Sequence, residues 1–140
     1  MKPMIKVLVD TNVLIYSIDE ESRYFEKSHN LMLNDEIELF TTSKNLSEFL
    51  AVITRVPHNL LTIEEALVVA KEFTSLCNIL YPSPGSYSLF KNLLLKYKPT
   101  GLKIHDFEII SIGLAHNINS IATINVKDFD EISEINFYNL

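Results

Sequence analysis

One cysteine in 140 residues, Cys77, excludes an internal disulfide and any multi-cysteine metal site. The three glycines are scattered and build no Gly-rich phosphate loop, which argues against P-loop and dinucleotide-binding folds. No apolar run reaches the roughly 20 residues that a membrane helix needs, and no signal peptide precedes the first apolar stretch. A cytoplasmic protein with no membrane association is therefore expected. HExxH and GxSxG are absent, and no histidine stands at a recognisable spacing from Cys77, so those hydrolase chemistries have no support. Linkers, internal repeats and low-complexity segments are also missing, and residues 1–140 read as one domain.

What is present is an ordinary globular mixture, 47% hydrophobic and 21% charged. At this length roughly 68% of the unfolded surface can be buried, enough for a sizeable core. The net charge of −6 argues at first sight against nucleic-acid binding, because phosphate affinity comes mainly from Lys and Arg. The sum misleads where charges are segregated. Acids gathered around divalent cations count as negative in the sequence but not once loaded.

The organisation turns on the stretch from Met4 to Tyr16. An apolar, β-branched run ends abruptly in Asp10-Thr11-Asn12, and apolar residues then resume at helical spacing through Val13, Leu14, Ile15 and Tyr16. Strand, polar corner, helix is the simplest reading. A second helix is expected over about Ser22 to Leu33, with Tyr24, Phe25, Leu31 and Met32 inward, then a strand over Ile37 to Thr41. Thr42-Ser43 offers caps for a helix to about Arg55, whose Leu46, Phe49, Leu50 and Ile53 form a buried stripe with Glu48 beside it. Thr62 and Glu65 have capping-box spacing and open a helix to about Cys77. A brief strand at Asn78 to Tyr81 and a loop at Pro82 to Gly85 precede a helix over Ser86 to Lys98. Another helix starts at His105 or Asp106, followed by strands at Ser120 to Ile124 and Ile135 to Tyr138. Helices alternating with short apolar strands imply an α/β sandwich with a mainly parallel sheet.

Several polar positions share a placement in this scheme. Asp10 follows the first strand, and Asn125 follows the late strand with Asp128 three residues on. If those strands are parallel neighbours, both corners lie on the edge where open α/β sheets bind ligands. Asp106 opens a helix after a loop, and Glu48 flanks a buried helical face. Carboxylates brought together repel and raise one another's pKa, a cost that divalent cations remove. Mg²⁺ takes a few carboxylates plus waters and substrate phosphate oxygens. Two such ions about 3.5–4 Å apart can activate a water and stabilise the leaving oxygen of a phosphodiester. Each residue also has a plainer reading: Asp10 as a helix N-cap, Asp106 as an acid favoured by a helix dipole, Glu48 as a boundary residue, Asn125 and Asp128 as turn formers. A receiver-type phosphoacceptor domain also gathers acids at strand ends. It requires a phosphorylatable Asp on a middle strand and a late-strand lysine, and neither is evident.

Taken together, Val9-Asp10-Thr11-Asn12, Ser47-Glu48-Phe49, His105-Asp106 and the run Ala122 to Phe129 resemble, in order and spacing, the four motifs of the PIN-domain family. Spacing and chain length are similar to the VapC-type toxins of prokaryotic toxin–antitoxin pairs. The resemblance implies a three-layer α/β/α sandwich, Mg²⁺- or Mn²⁺-dependent cleavage of RNA, and a cognate antitoxin partner. It assigns Asp10, Glu48 and Asp106 to metal binding and catalysis, Thr11 and Asn12 to steadying the first acid, and Thr123 to a hydroxyl beside the site. Asn125 stands where many members carry an acid, so Asn125 or Asp128 completes the second metal position. A binding module of the same fold without activity is the competing reading. Asn117 replaces a glycine usual after the histidine near position 116.

Charge segregation adds one clue. From Gly85 through His105 there is no Asp or Glu, whereas Lys91, Lys96, Lys98 and Lys103 fall there with Tyr87 and Tyr97 interleaved. This stretch leads into Asp106 and reads either as an approach for an RNA backbone or as a solvated helix face. Apolar residues beyond one stripe, Leu31, Met32, Leu33, Leu67, Val68 and Val69, are candidates for a homodimer or antitoxin interface, or for core.

Overall fold

The first strand forms where its β-branched residues dictate, and its alternation decides the layers on both sides. The computed structural model describes residues 4–140. Residues 1–3 of the expected domain lie outside the described residues. In chain order the elements are β1 (Ile5–Val9), α1 (Thr11–Tyr16), α2 (Phe25–Met32), β2 (Ile37–Thr42), α3 (Ser43–Ile53) and α4 (Ile63–Leu76). There follow β3 (Asn78–Leu80), α5 (Pro84–Tyr97), α6 (Lys103–Ala115), β4 (Ser120–Ala122), a 3-10 turn at Val126–Asp128 and β5 (Asn136–Phe137).

The sheet has the order β3-β2-β1-β4-β5 and every pairing is parallel. Successive side chains point to opposite faces of a strand. Val7 and Val9 accordingly join a core with Val13, Leu14, Phe49, Ile53 and Phe73, from α1, α3 and α4. Leu8 joins the other core, with Leu93 of α5 and Phe107, Ile110 and Ile112 of α6. Two cores on either side of one sheet make the three-layer α/β/α sandwich that the alternation of elements implies.

The chain winds outward from β1 through β2 to β3, then returns to lay β4 against the other side of β1. The reversal creates a topological switch point between β1 and β4, and the crevice at their carboxyl ends is the natural ligand site of such a sheet. Among the described residues no helix is long and apolar enough to cross a membrane.

The elements occur where periodicity places them, and the differences lie at their ends. α5 begins at Pro84, not Ser86, because Ser83 caps it and proline is at home in the first turn. α6 begins at Lys103, just after Gly101 with its positive φ of 65°. α2 is shorter than expected, and Tyr24 and Phe25 are only half-buried. β4 stops at Ala122 because side chains take over the next backbone donors: Ile124 N–H donates to the Asn12 carbonyl and Asn125 N–H to the Thr123 hydroxyl. Asn117 takes a φ of 60°, the left-handed region that asparagine tolerates in place of glycine.

Candidate active site at the carboxyl edge of the sheet

The floor of the site is the corner after β1. Asp10 caps α1, its carboxylate accepting from Thr11 N–H at 2.9 Å, while its own N–H donates across the switch point to Ala122 O at 3.0 Å. Thr123, the first residue beyond β4, donates its hydroxyl to the second Asp10 oxygen at 2.8 Å. The Thr123 oxygen in turn accepts from Asn12 Nδ2 at 3.2 Å and from Asn125 N–H at 3.1 Å. One hydroxyl thus ties Asn12 of α1 and the Asn125 backbone to Asp10 with all its hydrogen-bonding capacity used. Capping and site building are the same geometry here, so the cap reading of Asp10 holds without displacing the other.

The second wall comes from α3. Thr42 caps this helix through a capping box with Asn45 at 3.1 Å, and Asn45 is fully buried. Its amide donates to the Thr11 hydroxyl at 3.0 Å, and Thr11 donates onward to Glu48 Oε2 at 3.3 Å. Asn45 therefore steers Glu48 through Thr11. The reading of the sequence missed this residue, although Thr42-x-x-Asn45 has the spacing of a cap.

Glu48 and Asp106 face a common cleft of about 660 Å³, with Asp128 also on its lining. One wall is a stripe of α3, Lys44, Glu48, Ala51 and Val52, continued by Arg55 just past the helix end; the other holds Leu102, His105, Asp106 and Ile109 at helical spacing. Asp106 lies inside the first turn of α6, whose cap position is Leu102, so it caps nothing. Burial pushes the Asp106 carboxyl up to about 7, with Asp10, Asp128 and Glu48 adding repulsion. Burial likewise pushes Asp10 up to about 6, against the opposing hydrogen bonds from Thr123 and Thr11, with Glu48 and Asp128 again raising it. Asp10 and Asp106 both feel the charge of Glu48 and Asp128, and a positive ion held there would relieve that repulsion.

Other expected members fall elsewhere. Asn125 is exposed and does not line the cleft; its backbone N–H, not its side chain, serves the floor. Lys91, Lys96 and Lys98 are also exposed and off the cleft, and Lys96 is held by Glu134 at 2.8 Å. Lys103 does line it, paired with Glu131 at 2.9 Å. Lys44 and Arg55 line it too and were not anticipated, since their spacing from Glu48 becomes informative only once one face of α3 is known to be open. Leu31 and Met32 belong to the core, whereas Leu33, Leu67 and Val68 are exposed.

The donor set facing the cleft is carboxylate oxygen, which suits a hard divalent cation such as Mg²⁺ or Mn²⁺. Among the described residues no three His, Cys, Asp or Glu side chains are grouped as a ready-made metal cage. The arrangement fits the Mg²⁺ habit of one or two carboxylates completed by water and substrate oxygens. Burial pushes the lone Cys77 thiol up to about 12, and it takes no part.

Comparison with known proteins places this geometry in a family. No curated protein matches the chain in sequence. Among solved structures, VapBC2 from Rickettsia felis, bound to a DNA fragment from its promoter, superposes with a TM-score of 0.74 at 18% identity, over 97% of this chain and 99% of that one. DNA-bound VapBC from Salmonella typhimurium gives 0.70 at 22% identity, over 96% and 98%. VapC20 of Mycobacterium tuberculosis, a sarcin-ricin loop cleaving toxin, gives 0.71 at 9% identity, over 90% and 95%. At these identities the likeness is one of fold. A model of the PIN domain matches residues 7–135, and the chain belongs to the PIN domain family.

Proposed function

We propose that this PIN domain is a Mg²⁺- or Mn²⁺-dependent endoribonuclease acting in the cytoplasm as the toxin of a toxin–antitoxin pair. The observation that carries the reading is the convergence of four acids from separated segments near the switch point of the sheet: Glu48, Asp106 and Asp128 line one cleft, and Asp10 lies within reach of their charge. Like charges gathered in this way are unfavourable in the empty protein, which marks the cluster as a candidate functional site. The VapBC neighbours support the antitoxin partner, and the exposed Ile63, Leu67 and Val68 on α4 offer a surface for it or for a second copy of the chain.

In this reading Asp10, Glu48 and Asp106 hold the cation, and Asp128 from the loop after β4 completes a second position in place of Asn125. When bound, paired cations supply an activated water and charge neutralisation at the scissile phosphodiester. The protein's own part is positional. Thr123 and Thr11 N–H fix both oxygens of Asp10, Asn12 braces Thr123, and Asn45 acting through Thr11 aims Glu48.

A second reading, a PIN-fold binding module without activity, draws on Asn125 in the place of an acid and on the absence of a ready-made cage. An RNA-cleavage assay in Mg²⁺ and in Mn²⁺, with the wild type and Asp10→Asn, separates the two. Cleavage lost on substitution supports the nuclease; no cleavage by the wild type with either ion supports the module.

A further inference from the structure

Three cations line the cleft, and they are not equivalent. Lys44 reaches Glu108 on the opposite wall at 3.5 Å, and Lys103 reaches Glu131 at 2.9 Å. Arg55 has no carboxylate partner among the described residues. Among the described residues it is the one cleft cation whose charge is not already matched by an acid.

Its position adds to this. Arg55 follows the α3 stripe Lys44, Glu48, Ala51 and Val52, two residues past the helix's last residue, Ile53, and lines the same cleft. Apolar lining accompanies it: Ala51 and Val52 stand between Glu48 and Arg55 in the chain, and the 84% exposed Leu102 lines the cleft from the other wall. One lining thus combines acids, apolar side chains and, among the described residues, one guanidinium without an acid partner.

We propose that Arg55 binds a backbone phosphate of the substrate strand away from the scissile bond, with an unpaired base resting on Val52 and Leu102. The inference rests on the nuclease reading. A base packed against these side chains must leave its stack, which loops and single strands allow at little cost. Guanidinium suits this role because its planar fork grips phosphate oxygens and stays charged at any working pH. The acid cluster repels a polyanion, so the strand needs an uncommitted cation beside the cluster to be drawn in.

The test reads binding apart from turnover. In Asp106→Asn protein with Mg²⁺, the affinity for a labelled, unstructured oligoribonucleotide of roughly a dozen nucleotides is followed by fluorescence anisotropy across a salt series. Adding Arg55→Ala is expected to weaken binding about tenfold and reduce the salt slope by about 0.7, one phosphate's share for a single strand. Arg55→Lys keeps the slope and recovers part of the affinity. Arg23→Ala removes the same charge outside the cleft and changes binding less than about twofold. In otherwise wild-type protein, Arg55→Ala raises KM and leaves kcat within about twofold. Equal losses for Arg55→Ala and Arg23→Ala, or no loss in either, would overturn the proposal. A wild type that cleaves no RNA sinks the nuclease reading instead, and the binding series still decides on Arg55.

Discussion

The floor of the site and the rim of the cleft are built from the same residue type under opposite conditions. Asp10, on the floor, is only 8% exposed, and both of its carboxylate oxygens accept a hydrogen bond, one from Thr11 N–H and one from the Thr123 hydroxyl. Asp106, on the rim, is half-buried, and burial and neighbouring like charge govern it. The floor is a satisfied polar network that holds its shape without a ligand. The rim is a set of charges held against their own repulsion, useful only when a cation and a substrate arrive. The contrast teaches that fixing one carboxylate rigidly lets the others remain adjustable.

The sharpest break in that contrast is Asp106→Asn. It removes a cation-holding charge and leaves the floor untouched, so RNA cleavage should fall about a thousandfold or more, in line with the several kcal/mol that metal assistance contributes. The cation-free protein should meanwhile melt higher above neutral pH, because one member of a repelling set is gone. Activity and stability then move in opposite directions. A fall in both would mean that Asp106 serves the fold.

Thr123→Val attacks the floor instead. It deletes the acceptor for Asn12 and the Asn125 N–H and the donor to Asp10, leaving one oxygen of that buried carboxylate unpaired at about 1–3 kcal/mol. Cleavage should drop roughly 10–100-fold, the usual effect of losing a group that orients a metal ligand. Thermal stability should fall as well, unlike in Asp106→Asn. Melting curves and initial rates on the two variants side by side check the difference.

The pH dependence sharpens the same comparison. Asp10 at about 6 and Asp106 at about 7 lie above the ordinary 3.8, so between those values the folded state binds more protons than the unfolded chain. Stability of the cation-free protein therefore falls as pH rises through that window, with the penalty absent below it and complete above about 7. Melting in chelator should show Tm declining from about pH 5 to about pH 8, by a few degrees for each kcal/mol involved. Mg²⁺ should restore more of the loss at the higher pH. A Tm flat across the range in chelator would contradict the crowding of these acids.

Much of this was legible in the sequence, and the line between what was and was not follows the range of the interactions. The corner Asp10-Thr11-Asn12 is local: a strand ends, a helix starts, and the side chains serve both. The stripe of Phe49 and Ile53 and the capping box of Thr62 and Glu65 are local too, and both occur as expected. Residues whose role depends on distant packing were harder. Asn45 counts only because β2 places the start of α3 beside Thr11. Lys44 and Arg55 look like ordinary surface cations until one face of α3 is seen to border a cleft. Asn125 is where a motif search looks for an acid, but Asp128 is the one that faces the cleft. Asp128→Asn should therefore cost more cleavage than Asn125→Ala, by about five- to tenfold, in parallel assays at limiting Mg²⁺.

The smallest expected effect concerns the lysines that sequence composition brought forward. A stretch free of acids reads as electropositive along the chain, but charge in a fold is set by neighbours in space. Lys96 lies against Glu134 of the loop before β5, and the Tyr97 hydroxyl both donates to Glu134 and accepts from Ser133 N–H. That cluster pins α5 to the loop and leaves Lys96 little free charge for a phosphate. Lys96→Ala combined with Lys98→Ala should then change RNA affinity and its salt slope by less than about twofold, well below the effect of Arg55→Ala. A loss as large as that of Arg55→Ala would move the approach path of the strand from the α3 wall to α5.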